Sequence, residues 1–125
     1  ILVRKPQTMA GAVEETLRMI PDRIVIGELR AGPETAAFLR AANTGHRGGF
    51  STCHAGDAPD ALARLETMCL LGDGAVPHRA VRAQVLAAVD VLVGVARAAD
   101  GQRRITGAHR VDRAGLGPDL LAGLW

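Results

Sequence analysis

Pro21-Asp22-Arg23-Ile24-Val25-Ile26-Gly27-Glu28-Leu29-Arg30 is the stretch around which the rest of the chain is arranged. Its centre, residues 24–26, is a run of three β-branched side chains with no polar alternation. Such a run predicts a central parallel strand buried on both faces. The run ends in Gly27 and then a carboxylate, Glu28. Ligands of open α/β sheets bind at the carboxyl ends of the strands, so a glutamate held there is a candidate for metal or water chemistry. A helix N-terminal acid, or a surface ion pair with Arg30, accounts for the same residue equally well.

Working outward, residues 8–20 read as a helix, with Val13, Leu17 and Ile20 at helical spacing and Pro21 stopping it. Residues 1–7, apolar and basic, read as the tail of a strand. Downstream, Gly32-Pro33 marks a turn. Residues 34–42 form an alanine-rich helix with Phe38 and Leu39 as its large contacts, closed by Asn43-Thr44-Gly45. Residues 48–53 are a second strand. Asp57 and Pro59 suit the start of a helix that carries Leu62, Leu65, Met68 and Cys69 down to Leu71, where Gly72-Asp73-Gly74 breaks it. Residues 77–88 form another helix, with Val81, Val85 and Ala88 inward. Residues 89–96 and 103–111 are strands joined at Asp100-Gly101, a hairpin signal. Residues 115–125 read as loop with one turn near Leu120. The predicted fold class is α/β: a mostly parallel sheet flanked by helices, with a C-terminal hairpin. One domain spans residues 1–113, and 114–125 is a tail.

Composition narrows the function classes. The 125 residues suffice for one modest core. With no Tyr, one Trp and two Phe, that core is built from Ala, Val, Leu and Ile. The net charge is only +2 and stacking aromatics are scarce, so nothing points to a specific nucleic acid. Cys53 and Cys69 make no disulfide framework and read as small buried hydrophobes. No apolar run approaches the ~20 residues of a membrane span. The chain starts on Ile1 and reads as a piece of something longer.

A helix between the first two strands implies a parallel crossover, which puts both carboxyl ends on one edge of the sheet. Glu28 and the segment Ser51-Thr52-Cys53-His54 then face one crevice. The second dense stretch, Asn43-Thr44-Gly45-His46-Arg47-Gly48-Gly49-Phe50-Ser51-Thr52-Cys53-His54-Ala55, holds two of the four histidines among glycines and hydroxyls. Glycines admit close backbone approach, and hydroxyls and imidazoles can contact oxyanions. Zinc held by His46, Cys53, His54 and Cys69 fits no standard ligand spacing. Nucleophilic chemistry at Cys53 is weakened because it points inward if His54 faces the crevice. A plain structural role for both histidines remains open.

These residues carry a resemblance. The segment Arg18-Met19-Ile20-Pro21-Asp22-Arg23-Ile24-Val25-Ile26-Gly27-Glu28-Leu29-Arg30 resembles the Walker B region of type II and type IV secretion-system ATPases. The stretch from Asn43 to Ala55 resembles their histidine box, and Asp60-Ala61-Leu62-Ala63-Arg64-Leu65-Glu66-Thr67-Met68 resembles the helix after it. The similarity runs from about Gly11 to Val111 and is nearest the CpaF-like branch that drives tight-adherence pilus assembly.

The resemblance implies a hexameric motor with a RecA-like P-loop NTPase domain that hydrolyses ATP with Mg²⁺. It implies a cytoplasmic location at the inner face of the membrane and docking on an inner-membrane platform protein. By position, Glu28 is the catalytic Walker B acid, ordering magnesium, through water or directly, or polarising the attacking water. His54 is the histidine near the γ-phosphate. Arg30, Thr44, Gly45, His46 and Thr52 fall at nucleotide-contacting positions. Two departures are mild: Ala31 replaces the usual glycine, with Gly32 next, and Cys53 replaces an aliphatic residue. A third is larger. The phosphate loop G-x-x-x-x-G-K-[ST] is absent from these residues, whose only lysine is Lys5. The alternatives are therefore the C-terminal part of a motor domain and a non-catalytic remnant that packs with an intact motor. The isolated chain is expected to turn over no ATP and to bind it weakly.

Overall fold

A computed structural model describes residues 8–72 and 75–122. The elements run α1 (Met9–Leu17), β1 (Val25–Ile26), α2 (Gly32–Asn43), β2 (Phe50–Ser51), α3 (Ala58–Gly72), α4 (His78–Ala88), β3 (Val91–Arg97), β4 (Arg103–Asp112) and β5 (Gly115–Asp119). The strand expected over 1–7 and the break at 73–74 lie outside the described residues.

β1 and β2 pair in parallel, Val25 opposite Phe50 and Ile26 opposite Ser51. A parallel pair needs a crossover, and α2 is that crossover. The chain passes close to its neighbours just before β2, where Gly49 leaves room. A Cβ on Gly49 would come 3.0 Å from both the Ile24 carbonyl oxygen and the Phe38 ring. β1 departs from expectation in one respect: Ile24 and Ile26 are buried, but Val25 between them is 71% exposed. Strand alternation sends Val25 to the other face, and the described chain has nothing to cover it.

Local signals set the helix ends. The Thr8 hydroxyl accepts from the Gly11 N–H at 3.1 Å and caps α1. That helix stops three residues short of the predicted end, because Ile20 takes φ +49° ahead of Pro21. Pro33 stands in the first turn of α2, and Glu34 reaches back to accept from the Arg30 and Ala31 N–H groups. Gly45, at φ +106°, closes that helix just past Thr44. Asp57 accepts from the Asp60 N–H at 2.8 Å, so α3 starts where its sequence says.

The core lies among α2, α3 and α4. Leu39, Leu62, Leu65, Val81 and Val85 are nearly or fully buried, each worth about 1.5–3 kcal/mol relative to exposure. α2 and α3 meet without side chains at one point. A Cβ on Gly32 would stand 2.5 Å from both the Gly72 nitrogen and the Met68 carbonyl oxygen. Gly32→Ala should therefore push the helices apart at a cost of about 2–3 kcal/mol, lowering the melting point by on the order of 10 °C. A melt within 2 °C of the parent would mean the contact yields freely.

The second sheet is antiparallel, in the order β3-β4-β5. The hairpin forms at Asp100-Gly101 as predicted, with Gly101 at φ +81°. The segment read as loop and tail is in part a strand: β5 pairs with β4, Val111 opposite Leu116. The Asp119 carboxylate pins it, accepting from the backbone N–H groups of Ala108 and Leu121. These two donors hold that carboxyl below its ordinary value. Leu92, Val111 and Leu116 pack toward the helices. Val91, Val93, Val95 and Ile105 are about half exposed on the other side.

Candidate functional site

Glu28 follows β1 by two residues, and His54 follows β2 by three. Backbone pairing continues past the strands: the Leu29 N–H donates to the Thr52 carbonyl at 2.8 Å. The Thr52 hydroxyl then donates to the Gly27 carbonyl at 2.7 Å. Thr52 thus fastens the two strand exits side by side, and its hydroxyl is used on protein rather than ligand. At that edge His54 Nε2 lies 3.0 Å from Glu28 Oε1. Arg30 Nε donates to the other oxygen, Oε2.

Glu28 is therefore gripped on both oxygens. Its side chain is 19% exposed, against 86% for His54 and 78% for Arg30. The carboxylate sits at the base of the rim and its two partners face water. An exposed pair adds little stability, so the arrangement positions the acid more than it holds the fold. A neutral imidazole can donate here when its proton is on Nε2, and an imidazolium donates more strongly.

Cys53 lies between these residues, half-buried. Burial pushes its thiol up, Asp60 and Glu28 add to the effect, and Arg64 opposes it. A thiol held protonated is a poor nucleophile, which leaves Cys53 as packing. Cys69 is buried. Among the described residues no group of three or more His, Cys, Asp or Glu could hold a metal ion.

Thr44, Gly45 and His46 lie elsewhere. α2 begins beside Arg30 and runs back across the sheet. Its 12 residues span roughly 18 Å at 1.5 Å per residue. These three residues therefore stand at the amino edge of the strands, opposite Glu28 and His54. There the Thr44 hydroxyl donates to the Arg40 carbonyl at 2.9 Å, finishing the helix. The His46 N–H donates to the Ala41 carbonyl, and its Nδ1 is enclosed without a partner. The structure thus splits the predicted set. Glu28, Arg30, Thr52 and His54 come together, and Thr44, Gly45 and His46 do not join them. The cause is simple: the histidine-rich stretch contains a whole strand, and the two ends of a strand lie on opposite edges.

Sequence reasoning missed one cluster. Glu66 on α3 is 5% exposed. It accepts from Arg82 Nη1 at 2.7 Å and contacts His78 Nε2 at 2.9 Å, both on α4. The signal was available, since Glu66 falls on the same helical face as Leu62, Leu65 and Cys69.

The family follows from sequence comparison. The pattern of the type II/IV secretion system protein family matches residues 3–106, and the chain belongs to that family. Among individual relatives, the type IV secretion system protein PtlH of Bordetella pertussis is 46% identical over 91 residues, covering 70% of this chain and 26% of PtlH. The fold matches the VirB11 ATPase of the Brucella suis type IV secretion system, crystallised with sulphate. The TM-score is 0.78 at 35% identity, over 84% of this chain and 32% of that one. The Legionella pneumophila ATPase DotB shares the fold, with a TM-score of 0.68 at 24% identity, over 89% of this chain and 30% of that one. The architecture is α/β, consistent with a partial RecA-like domain. The chain spans about a quarter of the length of the curated relatives it matches.

Proposed function

We propose that this chain is part of an ATP-hydrolysing motor of type II or type IV secretion, and that Glu28 and His54 are its reactive edge. The observation that carries this reading is the 3.0 Å contact between them. A carboxylate and an imidazole from two parallel strand ends meet at the edge where α/β sheets take ligands.

Phosphoryl transfer is mostly positioning and charge neutralisation. Glu28, fixed by two donors, would order the water that attacks the γ-phosphate. Both carboxylate oxygens are engaged, so its hold on Mg²⁺ would run through water. That fits magnesium, which keeps several waters and takes its other ligands from phosphates. When bound, the ion would neutralise charge on the phosphates. His54, open to solvent, would contact the γ-phosphate and report its loss. Arg30 fixes the Glu28 rotamer. We place the parent in the CpaF-like, pilus-assembling branch: a homo-hexamer at the cytoplasmic face of the inner membrane, docked on a platform protein. No helix among the described residues is long and apolar enough to cross a membrane. The second reading, a non-catalytic piece docking on an intact motor, draws on the absence of a phosphate loop from these 125 residues.

The test is His54→Ala in a complete motor chain carrying this stretch, by ATPase assay and thermal melt together. ATP turnover or its coupling to assembly should fall about tenfold or more. The melting point should move by under 2 °C, because the side chain is 86% exposed. Normal turnover with a melting point several degrees lower would make His54 structural.

A further inference from the structure

We propose that Asp60, in the first turn of α3, is a positioning residue that holds His54 against Glu28. The proposal deepens the reading of those two side chains as the reactive edge, and rests on it.

His54 stands on a loop that packing does not fix. Residues 54–57 are all exposed. The His54 side chain has one polar partner among the described residues, Glu28. An exposed hydrogen bond gains about what fixing a single residue's backbone costs, so that contact alone cannot order the loop. The backbone has to place the imidazole first.

Two anchors do so. Upstream, the Leu29 N–H donates to the Thr52 carbonyl and ties the exit of β2 to that of β1. Downstream, the Gly56 N–H donates to Asp60 Oδ2 at 2.7 Å. Among the described residues this is the one protein hydrogen bond made by the backbone of residues 53–56. His54 lies midway between the anchors.

The start of α3 shows that the second anchor serves the loop. Asp57 caps the helix by accepting from the Asp60 N–H. In a capping box the acid at the third helical position reaches back to the N–H of the cap residue itself. Asp60 reaches one residue further, to Gly56, and so restrains the chain that leads to His54. The acceptor is anionic and sits at a helix N-terminus, which strengthens the bond. Asp60 also stands near enough to Cys53 to add to the rise that burial gives its thiol. The sister loop is built alike. Glu34, in the first turn of α2, accepts from the Arg30 N–H at 2.7 Å as well as from the Ala31 N–H. Each of the two residues that grip Glu28 is thus tied from the first turn of the following helix.

The experiment compares Asp60→Ala and Asp60→Asn in a complete motor chain carrying this stretch. Asp60→Ala should lower kcat about fivefold and leave KM for ATP within about twofold, because a displaced imidazole loses positioning rather than binding. Made beside His54→Ala, the same substitution should change kcat by under about 1.5-fold, since Asp60 acts only through His54. Asp60→Asn keeps an oxygen for Gly56 and should stay within about twofold of the parent. It should nevertheless melt lower than the parent, because α3 loses a favourable charge at its N-terminus. Turnover and stability then part company, as they would not if Asp60 were only a helix cap. In the 125-residue chain, a nuclear Overhauser contact between the His54 ring and the Glu28 side chain should appear in the parent and Asp60→Asn and vanish in Asp60→Ala. Equal loss of turnover in the two variants would overturn the proposal. So would an undiminished loss beside His54→Ala, or a His54–Glu28 contact that survives in Asp60→Ala. If His54→Ala alone leaves turnover normal, the motor reading fails, and the Overhauser contact still decides whether Asp60 places His54.

Discussion

A complete motor chain carrying Glu28→Gln should bind ATP about as well as its parent and hydrolyse it about 10²-fold more slowly or worse, a barrier increase of about 2.7 kcal/mol. Glutamine keeps the shape of the side chain and loses the charge that orders water and the metal shell. It also breaks the local hydrogen-bond logic. Glu28 receives donors on both oxygens, from His54 and from Arg30. An amide can accept on only one side. If its oxygen stays with Arg30, its NH₂ faces His54, which must then present a lone pair instead of a proton. The substitution therefore removes a charge and reverses a tautomer without disturbing the strand. Phosphate release in single turnover, beside equilibrium nucleotide binding, is the check. Unchanged hydrolysis would move the acid to another residue, and lost binding would mean that Glu28 holds the nucleotide rather than the water.

Arg82→Ala should destabilise the fold by about 2 kcal/mol. The partner, Glu66, is 5% exposed and sits among Leu62, Leu65 and Cys69 on α3. Arg82 itself is 48% exposed, so the pair is half-buried, but removing the guanidinium takes a charged donor from the buried Glu66 carboxylate, a loss of about 1.5–3 kcal/mol. His78, at 2.9 Å, relieves part of that charge, which favours the lower end. For a domain whose whole stability is about 5–15 kcal/mol, this is a large share. The double variant Glu66→Leu, Arg82→Leu should recover much of the loss, because it removes the buried carboxylate as well. Urea unfolding of the three proteins decides. If Arg82→Ala unfolds at the parent's midpoint, the pair is ornamental and the α3–α4 contact is held by Val81 and Val85 alone.

The sequence was most legible where local chemistry and fold agree. The β-branched run at 24–26, Pro33 and Glu34 at the start of α2, Asp57 before α3 and Asp100-Gly101 in the hairpin each name their own conformation. The juxtaposition of Glu28 with His54 follows from one inference, the parallel crossover, and needs no distance information. Three features were not legible, each for a separate reason. Val25 looks like core because its neighbours are core, and sequence cannot say whether a strand's second face has a cover. Residues 115–119, Gly-Leu-Gly-Pro-Asp, have the composition of a loop. They become a strand because Asp119 anchors them to Ala108, and because an edge strand tolerates Pro118. His46 and His54 fall in one motif, yet a motif that spans a strand distributes its residues to both edges. Reading the motif as a single site ignores the length of the element inside it.

The open edge of β3 has a consequence for handling the protein. Val91–Arg97 pairs only with β4 among the described residues. The strand contains neither proline nor lysine, and its single charge is Arg97, at the very end. Natural sheets guard such edges with charge, proline or short length, and this one relies on a bulge at Gly94/Val95 alone. Concentration, rather than temperature, then sets the working limit of the purified chain. Colloidal behaviour should degrade in concentrated stocks while every probe of the folded monomer still reads normal.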